Sequence, residues 1–153
     1  MHAAVLAEVD RADAVVMAAA VADYAPAGGA APLKIEKAGP LVLHLERTPD
    51  ILAELGRRRG DRPHPILIGF AAQTGEVERA ARRKLEAKHV DLIVANDIAE
   101  SGAGFEVATN RVTVVSADGS EAWPLLDKTE VAARLIDRLE TLLSEAPATV
   151  ASR

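Results

Sequence analysis

An α/β fold, with a mostly parallel sheet, flanking helices and a late antiparallel hairpin, is what the 153-residue sequence predicts. The runs 13–19, 66–72 and 91–95 are continuously apolar instead of alternating, as strands covered on both faces are. Segments of helical periodicity separate them, and strands alternating with helices build a parallel sheet. Near the end, Asp118-Gly119 stands between two short β-prone stretches, the strongest short-range signal of a hairpin turn.

The totals bound the rest. A hydrophobic content of 49% is far above that of a disordered chain, and 153 residues suit one domain with a sizeable core. The net charge is −5 and aromatics are 3%, which predicts no nucleic-acid partner. Without Cys there are no disulfides, thiolate metal sites or Cys nucleophile. No apolar run reaches the roughly 18 residues of a membrane span, and no signal peptide is visible. A cytoplasmic protein without membrane contact is expected.

In chain order, residues 3–11 suit a short helix and 13–19 a fully buried strand. No strand and no glycine-rich turn come before them, so the chain is expected to be the later part of a larger domain. Residues 24–40 hold Pro26, Gly28, Gly29, Pro32, Gly39 and Pro40 and predict a long loop, a length that is usually functional. Leu41, Leu43 and Leu45 alternate with Val42, His44 and Glu46, suggesting a strand with one wet face. Thr48-Pro49-Asp50 reads as an N-cap, a first-position proline and a first-turn acid, opening a helix to about Arg58. Residues 57–62 form a charged connection and 66–72 the second buried strand. Thr74 or Gly75 is expected to cap a helix over 76–88, and 91–95 is the third buried strand, ending in Asn96-Asp97. After a loop over 98–110, residues 111–115 and 121–125 pair around the 117–120 turn. Asp127 with Glu130 resembles a capping box, opening a helix with the apolar stripe Val131, Leu135, Leu139 and Leu142. One domain over 1–145 and a flexible tail over 146–153 complete the organisation.

Several clusters could carry chemistry. Lys84 and Lys88 share a helix face, with Arg83 beside them, and such a like-charge pair costs about 0.2–0.5 kcal/mol in an isolated helix. A bound triphosphate would offset that; a solvated face balanced by Glu86 is the alternative. Asp23, at a strand end, suits either Mg²⁺ on a phosphate or a plain turn. Lys34 and Lys37 could close over a phosphate or simply be solvated. The helix opening at Thr48-Pro49 presents N–H groups to an anion, although Asp50 would repel a bare phosphate there. Asn96-Asp97 ends a strand on the ligand edge, or makes a polar turn. No GxGxxG, Walker loop or HExxH is present, the four His are scattered, and no Ser has a nucleophile-elbow context.

Taken in order, Ala18-Ala19-Ala20-Val21-Ala22-Asp23-Tyr24, Lys34-Ile35-Glu36-Lys37, Thr48-Pro49-Asp50-Ile51-Leu52, Gly69-Phe70-Ala71-Ala72-Gln73-Thr74, Lys84-Leu85-Glu86-Ala87-Lys88 and Asp91-Leu92-Ile93-Val94-Ala95-Asn96-Asp97 form a specific set. With Phe105, Asn110 and Lys128-Thr129-Glu130, they closely resemble bacterial phosphopantothenate–cysteine ligases up to about residue 143. The resemblance implies a Rossmann-like, dimeric domain of coenzyme A biosynthesis that uses CTP and Mg²⁺. The phosphopantothenate carboxylate would attack CTP to give an acyl-cytidylate, and cysteine would then displace CMP. It implies Met17, Ala18, Ala19, Asp23, Pro49, Asp50, Ile51, Leu52, Phe70, Lys84 and Lys88 at the nucleotide, with Asp23 also a metal contact. It makes Lys34 the catalytic cation and nucleotide contact, and Lys37 an additional phosphate contact. Glu36 stands where the family usually has a third lysine, Thr48 where it has Asn and Gln73 where it has Glu. The family's N-terminal glycine-rich portion has no counterpart here. Two alternatives are a nucleotide-binding or dimerisation module without catalysis, and a nicotinamide-dependent oxidoreductase fragment.

Overall fold

The computed structural model describes residues 1–29, 33–35, 39–97, 99 and 107–146. Glu36, Lys37, Phe105, most of the loop expected over 98–110 and the tail from Pro147 lie outside the described residues. A five-stranded sheet runs in the order β1-β4-β5-β7-β8, made of Ala14–Met17, Ile66–Gln73, Leu92–Asp97, Thr113–Val115 and Ser120–Ala122. Its first three strands are parallel, in a register that sets Met17 beside Gly69 and Ile68 beside Leu92. The last three are antiparallel, and the predicted hairpin closes where the Ser116 N–H donates to Gly119 O at 2.9 Å.

Period-two alternation sorts the strand residues into two cores. Leu67, Ala71, Ile93 and Ala95 point to one face, packed against α2 (Ile51–Arg59) and α3 (Val77–Lys88), with α1 (His2–Glu8) at their side. Ile66, Ile68, Leu92 and Val94 point to the other face, against Trp123 and α4 (Lys128–Glu145). The expected α4 stripe is present: Val131 and Leu135 are buried, with Leu139 and Leu142 packed beside them. Helices thus cover both faces of a sheet whose central strands are parallel.

Several local expectations are corrected. β1 is half-buried, with Val16 39% exposed, because it has a strand neighbour on one side alone among the described residues. The 24–40 stretch is not all loop. Its start, β2 (Tyr24–Pro26), pairs antiparallel with β3 (Leu45–Arg47) in a separate two-stranded ribbon. That ribbon replaces the strand expected over 41–46. Leu41, Val42, Leu43 and Leu45 are all exposed, since alternation marks a core face only where something covers it. A second short ribbon, β6 (Thr109–Asn110) with β9 (Leu126–Asp127), falls partly in the expected late loop.

Helix caps also shift. Asp50 caps α2, its Oδ1 accepting from Ala53 N–H at 3.0 Å, whereas Thr48 Oγ1 donates to Ala22 O at 2.5 Å. α3 opens from Glu76 in a left-handed conformation (φ 43°), with no side-chain cap from Thr74. Asp127 precedes α4 but makes no capping bond, and Glu130 instead accepts from Arg134 at 2.9 Å.

Two glycines set how closely the layers approach. A Cβ on Gly69 would lie 2.4 Å from Leu52 Cδ2, so α2 rests directly on β4. A Cβ on Gly56 would lie 1.8 Å from the Lys88 carbonyl oxygen, so α2 crosses the last turn of α3 backbone to backbone. Neither the helix backbone nor that carbonyl can yield cheaply. Gly56→Ala is expected to destabilise the fold by roughly 1–3 kcal/mol through overpacking. Urea denaturation checks this, and an unchanged midpoint would contradict the close crossing.

Candidate functional site

A cleft of about 660 Å³ opens where β1 and β4 end, under the start of α2 and beside α3. That is the carboxyl edge of a parallel sheet, where open α/β folds bind ligands. Side chains on a helix lean toward its N-terminus. Lys84 and Lys88, late in α3, therefore reach back toward the strand ends, where both line the cleft.

The cleft gathers Met17, Ala19, Asp23, Pro49, Asp50, Ile51, Leu52, Phe70, Lys84 and Lys88 from the expected set. Ala18 and Lys34 are not among its lining residues, and Lys34 is exposed to solvent. Phe70 is 41% exposed in a strand whose residues 66–69 are buried. An aromatic ring left open inside a cleft is a stacking surface, the one apolar platform here suited to a planar ligand.

The charged groups form a connected row. Lys88 Nζ donates to Asp50 Oδ1 at 3.0 Å and lies 2.9 Å from Oδ2. Burial pushes the Asp50 carboxyl up, but the Ala53 N–H, the Lys88 ammonium and the Arg57 guanidinium outweigh it and hold it below the ordinary carboxylate value. Lys84 makes no hydrogen bond or ion pair among the described residues. Burial, and then the neighbouring Lys88, lower its pKa against the opposing pull of Asp23 and Asp50. A half-buried, unpaired ammonium is unfavourable in an empty cleft and is relieved by an anion.

Sequence reasoning missed two cleft cations, Arg47 and Arg57. Arg57 was legible in part: it follows Asp50 by seven residues, two turns along one helix face. Arg47 became visible only once β3 was known to end at the cleft mouth. The cleft thus holds four cations, Arg47, Arg57, Lys84 and Lys88, against Asp23 and Asp50, in a chain of net charge −5. Asp97 is engaged otherwise: it accepts from Gly75 N–H at 3.3 Å and Ala99 N–H at 2.9 Å, which is turn formation. Among the described residues no cluster of three His, Asp or Glu could hold a metal by itself. No helix there is long and apolar enough to cross a membrane.

Fold and site together define an α/β domain with a cation-rich cleft at the carboxyl edge of its parallel strands. The chain belongs to the DNA/pantothenate metabolism flavoprotein C-terminal domain family, whose sequence profile it matches over residues 1–143. It is 41% identical over 143 residues to the coenzyme A biosynthesis bifunctional protein CoaBC of Bacillus subtilis, a match covering 93% of this chain and 34% of the relative. A crystal structure of the C-terminal domain of a CoaBC protein superposes with a TM-score of 0.72 at 36% identity, covering 94% of this chain and 61% of the other. A Cab2 variant in complex with phosphopantothenate-cysteine shares the fold alone, with a TM-score of 0.60 at 19% identity over 83% of this chain and 44% of that one. The chain spans about a third of the length of the Bacillus relative.

The Asp50 pair has a pH signature. Its folded pKa is lowered, so its stabilising effect is fully present above the unfolded carboxylate value and is lost as pH falls through the folded one. Asp50→Asn keeps a capping oxygen and removes the charge. It should cost less than about 1 kcal/mol at neutral pH, because the pair is half-exposed. The difference should vanish in acid. Asp50→Ala should lose roughly a further 1 kcal/mol at either pH, because the cap goes too. Denaturation at neutral and acid pH measures both, and a pH-independent Asn effect would contradict the ion-pair account.

Proposed function

We propose that residues 1–145 serve as the nucleotide-binding part of a CTP-dependent phosphopantothenate–cysteine ligase in coenzyme A biosynthesis. The observation that carries this reading is the cleft itself: an exposed Phe70 ring, and a half-buried unpaired Lys84 among four cations, at the strand ends of a parallel sheet. Family membership and the CoaBC likeness supply the reaction class.

On this reading the cytidine lies against Met17, Ala19 and Phe70, next to Ala18, and Pro49, Asp50, Ile51 and Leu52 close the wall. The triphosphate takes Lys84 and draws Lys88 from Asp50. Asp23 has no side-chain hydrogen bond among the described residues, which leaves its carboxylate available to a Mg²⁺ ion carried on the phosphates; one carboxylate suffices for such an ion. The metal would neutralise phosphate charge. The phosphopantothenate carboxylate forms a bond to the α-phosphorus as the bond to the bridging oxygen breaks and pyrophosphate leaves. The cysteine amine then bonds to the acyl carbon, CMP departs and the nitrogen loses a proton. Lys34, with Lys37 as a further phosphate contact, supplies positive charge that matters most as pyrophosphate leaves. The acting form is a homodimer in the cytoplasm.

Lys34 is exposed and outside the cleft lining, which favours a second reading: a module that binds nucleotide without turning it over. Pyrophosphate release from CTP and phosphopantothenate, assayed with and without a supplied N-terminal segment, separates the two. Turnover in neither case would sink the ligase reading of this chain. Calorimetric titration with Mg²⁺ should show CTP bound in preference to ATP. Lys84→Ala should weaken CTP binding about tenfold or more, the worth of one charged hydrogen bond. Where turnover is seen, Lys34→Ala should lower kcat with far less effect on CTP affinity. Equal losses in both would contradict the division of labour.

A further inference from the structure

The cleft charges follow the two helices: Lys84 and Lys88 lie one turn apart on α3, Lys88 is paired with Asp50 at the head of α2, and Arg57 lies two turns further along α2. We infer that Arg57, at the far end of this row, is the contact for the terminal phosphate of the bound nucleotide and sets the preference for a triphosphate over a monophosphate. The inference rests on the nucleotide reading above and goes beyond it, because no part of that reading uses Arg57.

Three observations carry it. Arg57 lines the cleft and is exposed, so its guanidinium is accessible. It makes no hydrogen bond or ion pair among the described residues, unlike its neighbours: Arg58 pairs with Glu54, Arg59 is tied to Pro65 O, His89 O and Asp91, and Arg62 is tied to the Arg58 and Arg59 carbonyls. Of four arginines at the end of α2 and just beyond it, the one that faces the cleft is the one left free. Chemistry then favours it over the lysines for a terminal phosphate, because the planar guanidinium donates two parallel N–H bonds to two phosphate oxygens.

The test titrates the wild-type chain, Arg57→Ala and Arg57→Lys with CTP, CMP and inorganic tripolyphosphate, with Mg²⁺ present, after far-UV circular dichroism of each variant. Arg57→Ala is expected to weaken CTP and tripolyphosphate about tenfold while CMP changes less than about twofold, as befits one charged phosphate contact. Arg57→Lys should fall between, keeping the charge without the fork. Unchanged CTP affinity in Arg57→Ala overturns the inference and leaves the nucleotide reading standing. Equal weakening of CTP and CMP overturns it as well, since the residue would then act on the whole cleft. If the wild-type chain binds tripolyphosphate with the same Arg57 dependence but not CTP, the nucleotide reading falls and the phosphate contact stands. If it binds none of the three, both fall.

Discussion

The contact on which this molecule most depends is the crossing of α2 over the end of α3, where Gly56 lies against the Lys88 carbonyl. That approach is possible only without a side chain at Gly56. It fixes the distance between the two helices that together supply Asp50, Arg57, Lys84 and Lys88 to the cleft. With the crossing in place, the Lys88 side chain has the length to reach Asp50 at the head of α2, and Asp50 can serve at once as cap and counter-ion. A wider crossing would separate the pair and leave the first turn of α2 to solvent. The same few ångströms therefore decide helix packing, helix capping and the position of the cleft cations.

Electrostatics explains why such an arrangement persists in an acidic chain. Placing Lys84 and Lys88 on one helix face, with Arg47 and Arg57 nearby, is unfavourable in the absence of a ligand, and the burial of Lys84 adds to it. Asp50 and Asp23 offset part of that. Compensation is incomplete at Lys84, and incomplete compensation in a concave, partly apolar site is how binding sites differ from structural ion-pair networks. Arg59 illustrates the contrast on the far side of α2. It is largely buried, bonded to two carbonyls and paired with Asp91, so it fastens the helix to the sheet and has little to offer a ligand.

The parallel core was legible because its signals are local and redundant. Residues 66–72 and 91–95 are apolar without interruption, and strands buried on both faces have no reason to alternate. The late hairpin was legible from Asp118-Gly119. The ribbon of β2 with β3 was not, because its pairing joins residues 19 to 23 apart and its Leu45 faces solvent, so neither periodicity nor turn chemistry marks it. The caps failed for a related reason. Thr48 has the right side chain to cap α2, but its hydroxyl is claimed by Ala22 O across the chain, and Asp50 takes the cap. Most of the cleft could be named from resemblance, whereas Arg57 needed the helix face and Arg47 needed the ribbon.

That ribbon has a further consequence for the cleft. It leaves the core immediately after Asp23 and returns immediately before Thr48, so the whole 24–47 excursion is rooted in two residues that line the site. Thr48 closes the root with both its groups, its N–H on Asp23 O at 2.9 Å and its hydroxyl on Ala22 O. Lys34 lies within this excursion, some distance in sequence from either root. Around Asp23 and Thr48 the start and end of this stretch are fastened to each other by backbone and hydroxyl hydrogen bonds. On the proposed ligase reading, a lysine whose charge matters most as pyrophosphate departs would suit such an exposed position, in a stretch whose anchor belongs to the cleft and not to the sheet that gives the domain its stability.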